Sequence, residues 1–468
     1  MNRTATIDLS SQPKSLIEEI GLTIKLGWPI ILSNLTQISL PLIDGIMVGS
    51  IHSNQLASAS LVMNIISIPI LLCLGLPMAI SPLVSAALGK SEYKSPLGIL
   101  VNGMFLGGLF SLVFALIFHF GSGIVFHLGQ DVEVARIAED YLVIMGWRLI
   151  PMALFSAVSK FVQGLGITKL AMKLNFVTIP INILLNYILI FGHVGMPALE
   201  LAGAGYGTLI TQLIALSIFI VIIFRSDKFA DYRSHLKSAF QISLPQIREI
   251  LKIGIPIGIQ LSLESGAFAF SGLMAGWLGS QQQAAHQIGF YISSLTYVFS
   301  LGICSAGSIR VAFCFGKKDW DLIFSIGRST ILLALFIGFS FSLILLLGYN
   351  FIPSIFTKDL DVIYFAKVVL LMAAIFQLSD ALQATSVGIL QGIQDVKIPT
   401  YLSLIAYWVI GIPAGYLFAF VLDWGIAGLW TGLILGLSFN AILLTIRFFR
   451  KVAQSRKAGS DLSLINEL

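Results

Sequence analysis

Three carboxylates lie where a carboxylate is costly. Asp44, Glu264 and Asp380 sit inside long apolar stretches, far from the nearest polar connection. An ionised carboxylate in hydrocarbon costs several kcal/mol unless it is paired, hydrated or protonated, so such a residue marks an ion or proton path. None of the three has a basic residue three or four positions away, the spacing at which helical neighbours meet. Counted from Lys252, Glu264 lies about 18 Å along a helix, and Asp380 lies about 20 Å beyond Lys367, both close to the middle of a membrane. Two carboxylates at one depth cannot both stay ionised without a counter-charge. Glu264 and Asp380 are therefore expected to share one cation or one proton.

Asp44 is displaced toward the outer end of its segment and follows Pro41 by three residues. A proline removes an amide donor and can kink or break a helix, which opens backbone beside the acid. Asn182 and Asn186 are four apart, so both amides project from one helical face. They could satisfy a carboxylate such as Asp44, or they could join helices by amide hydrogen bonds. Arg148 either pairs with Asp140 or Glu139 or faces a cavity. His286 has no Cys, His or Asp at metal-ligand spacing and reads as a hydrogen-bonded interior residue. No Walker pattern, Ser-His-Asp arrangement or zinc pattern is present, so neither an enzyme nor a bound cofactor is expected.

The elements that position these residues follow from composition. Of 468 residues, 57% are hydrophobic and only 11% charged, with a mean hydropathy of +0.92. A soluble domain carries about 25% charged residues, so this chain cannot cover a water-facing surface. Apolar segments near 26–49, 56–88, 97–118, 138–163, 170–192 and 203–224 make six spans. A second six lie near 250–278, 284–315, 325–348, 362–390, 398–421 and 426–449. The first residues are mostly polar and do not read as a signal peptide. Cys73, Cys304 and Cys314 all lie in apolar segments, where a disulfide framework is not expected.

A net charge of +5 and a pI near 9.0 could point to nucleic acid, but the distribution excludes it. With the N-terminus inside, only Arg136, Arg148, Lys358 and Lys367 of the 28 Lys and Arg fall on the outer side. The positive-inside rule is thus met in every connection, and both termini are expected in the cytoplasm.

The chain also repeats. An offset of 227 residues places Gly27-Trp-Pro29 on Gly254-Ile-Pro256, Leu74-Gly75 on Leu301-Gly302 and Gly89-Lys90 on Gly316-Lys317. Gln163-Gly164 answers Gln391-Gly392 at 228, and Ala204-Gly205 answers Ala427-Gly428 at 223. Six spans per repeat is an even number, so the two halves are parallel repeats suited to alternating access. The expected fold is an all-α polytopic membrane protein of twelve transmembrane helices in two six-helix bundles. The bundles are expected at 1–224 and 250–468, joined by a cytoplasmic linker at 225–249.

Pro41-Leu-Ile-Asp-Gly-Ile-Met-Val-Gly49, Gln163-Gly-Leu-Gly-Ile-Thr168, Asn182 with Asn186-Tyr187, Leu263-Glu264, Ala284-Ala-His-Gln-Ile288, Asp380-Ala381 and Leu390-Gln-Gly392 together resemble the multidrug and toxic compound extrusion (MATE) family, in its bacterial NorM-like branch. The resemblance spans residues 20 to 450. It implies a V-shaped pair of bundles and Na⁺- or H⁺-coupled export of amphipathic, often cationic, compounds, with no other cofactor. It also implies that acids matching Glu264 and Asp380 bind the coupling cation, Na⁺ among the choices. The acid matching Asp44, beside Asn182 and Asn186 and grouped with Tyr187 and Pro41, is tied to protonation and drug release. Arg148 departs from the pattern, where a neutral residue is expected. A monomer in the bacterial inner membrane, in contact with lipid and with no nucleic-acid partner, completes the expectation. The alternative within the superfamily is a lipid-linked oligosaccharide flippase, which would need a basic central cavity for pyrophosphate.

Overall fold

A computed structural model describes residues 15–92, 95–233 and 241–466, with the side chains of Arg233 and of 459–466 left aside. Residues 234–240 of the expected linker, and Arg3, Asp8 and Lys14, lie outside the described residues.

Hydrocarbon offers no hydrogen-bond partner to the backbone, so an apolar run must satisfy its own amides and folds as a helix. Twelve helices among the described residues are long and apolar enough to cross a membrane. They are α1 (Leu16–Gly49), α2 (Ser53–Gly89), α3 (Ser95–Gly121), α4 (Val132–Gly164), α5 (Thr168–Phe191) and α6 (Glu200–Arg225). The second set is α7 (Leu244–Trp277), α8 (Ser280–Lys317), α9 (Trp320–Gly348), α10 (Leu360–Gly392), α11 (397–421) and α12 (Gly425–Asn466). No strand occurs among the described residues. The protein is an all-α, twelve-span membrane protein. Large apolar side chains such as Ile46, Phe120, Phe336 and Leu347 are exposed, as lipid-facing positions require.

Polar residues mark where helices start. Asp131, Asp319 and Asp359 each accept hydrogen bonds from backbone amides of the first turn of α4, α9 and α10. Such caps satisfy donors that the helix itself cannot. α1 begins ten residues before its apolar segment, because Glu19 and Thr23 face inward there. Arg310 of α8 meets Glu19 at 2.6 Å and donates to the Glu19 carbonyl and Thr23 Oγ1 at 3.0 and 2.8 Å. α1 runs unbroken through Pro29 and Pro41, so Pro41 does not interrupt the helix as its type suggests. The departure from α geometry falls in α11 instead, with π-helical turns at Ile405–Gly411 and Leu417–Val421.

Packing divides the chain inside α1 and α7 rather than at the 225–249 connection. Leu32–Ile259 form a first compact unit. The part of α1 up to Ile31 joins the chain from Gln260 onward in a second. The first halves of α1 and α7 thus change places between the two repeats. Small residues make the exchange possible. A Cβ on Gly75 of α2 would lie 2.5 Å from Gly258 Cα of α7, and one on Gly302 of α8 would lie against Ile31 Cγ1 of α1. Gly75 and Gly302 are repeat partners, so the same close approach is used twice. Inside each unit the scheme also recurs: α4 packs on α2, α3 and α6, and α10 packs on α8, α9 and α12. The first core centres on Val62, Ile66, Leu142, Met145 and Leu149. The second centres on Met274, Val369, Leu370, Phe376 and Trp430.

Candidate functional site

In the first unit, the C-terminal half of α1 brings Asp44 against α5 and α6. Asn186 Nδ2 donates to Asp44 Oδ1 at 2.6 Å, and Thr208 Oγ1 donates to Oδ2 at 2.8 Å. Asn182 closes the loop, donating to Thr208 Oγ1 at 3.2 Å and accepting from Asn186 Nδ2 at 3.3 Å. Asn182, Asn186 and Thr208 are buried, and Asp44 is half-buried. Asn186 thus serves the carboxylate directly, and Asn182 reaches it through Thr208. α6 approaches closely enough for this because Gly207 lacks a side chain; a Cβ there would lie against Asn186 Oδ1. An amide presents a donor and an acceptor, so a flip of Asn186 would serve a protonated Asp44 as well as an ionised one.

The network borders a cavity of about 260 Å³ lined by α1, α2, α4, α5 and α6. Gln37, Pro41, Met152, Asn175, Thr208 and Gln212 are among its lining residues, and Arg148 stands in its wall. Arg148 faces this cavity rather than pairing with Asp140 or Glu139. Glu139 instead accepts from Ser122 Oγ at 3.3 Å. Tyr187 does not join the network. It lies about a quarter-turn round α5 from Asn186, is 49% exposed, and stacks on His193 with ring centroids 4.2 Å apart.

The second unit holds the carboxylate pair. Asp380 of α10 is buried and Glu264 of α7 half-buried, and their charges act on each other. Gln383 of α10 and Tyr407 of α11 face Glu264, and Tyr297 of α8 feels both acids. Asp380 Oδ2, Gln383 Oε1 and Tyr407 Oη are buried without a hydrogen-bond partner among the described residues. The described ion pairs of this unit, Arg310–Glu19, Arg447–Asp395, Lys451–Asp395 and Arg456–Asp321, involve neither acid. Oxygens without a protein partner or a basic neighbour could accept a hard cation, and a buried carboxylate there could equally take up a proton. His286 contributes to neither site, resting against Ser271 and the Trp430 ring.

Thr208, Gln383 and Tyr407 were not singled out as members of these sites. Thr208 carries no signal of its own, since a helical Thr ordinarily bonds back to its own backbone.

A family model, MatE, matches residues 29–188 and 256–417, one stretch per repeat. The chain is 34% identical over 427 residues to a Bacillus cereus protein named probable multidrug resistance protein NorM, covering 91% of this chain and 94% of that one. A protein of the same name from Rhizobium meliloti is 31% identical over 457 residues, covering 96% and 97%. A solved structure of MATE in the bent conformation shares the fold, with a TM-score of 0.86, 19% identity, and coverage of 96% and 100%. With the repeats, the twelve spans and the matched stretches all in agreement, this chain belongs to the MatE family of membrane transporters.

Proposed function

We propose that the protein is a Na⁺- or H⁺-coupled antiporter that exports amphipathic, often cationic, organic compounds by alternating access. The multidrug-resistance names of its relatives support efflux as the general task. The observation that carries the coupling is the Glu264–Asp380 pair, two acids with unpartnered oxygens around them and no base to neutralise them. A buried pair in that condition takes up a cation or a proton. Glu264, Asp380, Gln383 and Tyr407 would hold the ion. Asp44 would exchange a proton beside the cavity: ionised, it attracts a cationic compound; protonated, it lets that compound go. A single guanidinium in the cavity wall is not the cluster of bases a pyrophosphate-bearing lipid needs, so the flippase reading lacks a site.

The protein would act as a monomer in the bacterial inner membrane, with both termini and the 225–249 connection in the cytoplasm. Purified protein in proteoliposomes tests the coupling, with Na⁺ and pH gradients imposed separately and efflux of a cationic dye recorded. Acceleration by either gradient, lost in Glu264→Gln and Asp380→Asn, is the expected result. Dye movement indifferent to both gradients would overturn it.

A further inference from the structure

The cavity of the first unit contains a positive charge that the export of cations does not use. Arg148 projects from α4 beside Gln37, Thr208 and Gln212. Its Nε is buried without a hydrogen-bond partner among the described residues, and Nη1 reaches only the soft Sδ of Met145 at 3.6 Å. A guanidinium carries five N–H donors in a rigid fork, so most of its capacity is idle here. Asp44 and Tyr141 are the titratable groups whose charge acts together with that of Arg148. Among the described residues Asp44 makes no direct hydrogen bond or ion pair with Arg148; its two oxygens receive Asn186 and Thr208 instead. On the same wall Gln212 Oε1 is a buried acceptor, also without a partner. A desolvated donor left unmade is costly, and the cost is relieved when an acceptor arrives. The acceptor that matches a planar fork is a carboxylate, which it takes through two parallel hydrogen bonds.

We propose that Arg148 is a substrate contact that binds a carboxylate, so the preferred cargo is an amphipathic zwitterion rather than a simple monocation. Its cationic end lies toward Asp44, one hydrogen bond behind Thr208 in the cavity wall, and its anionic end meets Arg148. The two protein charges then each find a counter-charge on one molecule. Either charge alone would leave the other to repel or to strand the ligand. This inference rests on reading the cavity as the substrate site.

The test uses the full-length protein and one xanthene dye in two forms, the free acid (a zwitterion) and its methyl ester (a monocation), with binding read by fluorescence polarisation. Wild type is expected to prefer the acid. Arg148→Gln should weaken acid binding by about tenfold or more while leaving the ester unchanged or tighter, because only the acid loses a charge-assisted hydrogen bond. Arg148→Lys keeps the charge without the fork and should recover part of the preference. Melting curves of the three proteins check that each is folded, and Arg148→Lys carries the test if Arg148→Gln is not. Equal weakening of both dyes, or no change in either, makes Arg148 structural and overturns the inference. If ester binding then still depends on Asp44, the export reading survives without it. If wild type binds neither form, both fall.

Discussion

The repeat allows the two sites to be compared position by position. At the offset of 227 or 228, Glu264 falls on Gln37, Tyr297 on Ile70, Asp380 on Met152 and Gln383 on Phe155. All four counterparts line the cavity of the first unit. The same corner of the fold therefore exists twice, once as a space with neutral residues at these four positions and once filled by two acids and their polar neighbours. The reverse holds elsewhere: Asp44 falls on Ser271, and Arg148 on the buried Phe376. Duplication supplied two equivalent pockets, and a handful of side chains made one roomy and the other ionic. The ionic pocket leaves oxygens unpartnered, whereas Asp44 has every oxygen hydrogen-bonded. An under-coordinated pair suits an ion that comes and goes, and a saturated carboxylate suits a proton.

The strongest way to break this division is to neutralise the ionic pocket. Glu264→Gln and Asp380→Asn should each bring gradient-driven export to background while cation binding to the first unit's cavity persists. Added Na⁺ at a hundred times its dissociation constant should stabilise the wild type by about 2.7 kcal/mol and either variant by nothing, measured by thermal unfolding. Full coupled export in either variant would remove the pair from the mechanism.

Asp44→Asn comes next. Deprotonation of Asp44 favours a cation, so wild-type affinity for a cationic dye should rise with pH. The variant should bind about tenfold more weakly, the loss of one charge-assisted contact, and its pH profile should be flat. An unchanged profile would make Asp44 a structural residue.

Thr208→Val removes the donor to Asp44 Oδ2 and the acceptor for Asn182 together. A buried polar group left unmade costs about 1–3 kcal/mol, read as a lower melting temperature and a weaker pH response. Retention of both would show that the carboxylate is held by the amides alone.

The smallest effects compare the repeat-related glycines. Gly75→Ala presses a methyl against the Gly258 backbone and should cost about 1–3 kcal/mol. Gly302→Ala should cost less, since it meets the Ile31 side chain at Cγ1 and the Ile31 backbone only at 3.1 and 3.2 Å. Equal melting temperatures would mean that the two close approaches are alike in rigidity.

Much of this was legible in the residues. Apolar runs located all twelve helices because lipid forces an uncharged backbone into helix, and the intramembrane acids announced themselves by their cost. Asn182 and Asn186 were readable as a pair because helical spacing puts them on one face. The same spacing explains the misplacement of Tyr187, whose adjacency to Asn186 in the chain turns it toward a different side. Thr208 stayed hidden because its type has an ordinary use in every helix. The exchange inside α1 and α7 stayed hidden because nothing in hydropathy changes at Ile31 or Gln260. The π turns of α11 left no residue signature either.

The exchanged first halves of α1 and α7 bear on how the protein is made. The ribosome delivers α1 first, yet the part of it up to Ile31 has its packing partners in α8, hundreds of residues later in translation. The Gly75 face of α2 likewise waits for Gly254 and Gly258. Neither half can finish on its own schedule, and a fragment ending at residue 224 would expose an uncovered helix face to lipid and to quality-control proteases. The insertion machinery must therefore hold the first six helices in an unfinished state until the seventh and eighth arrive.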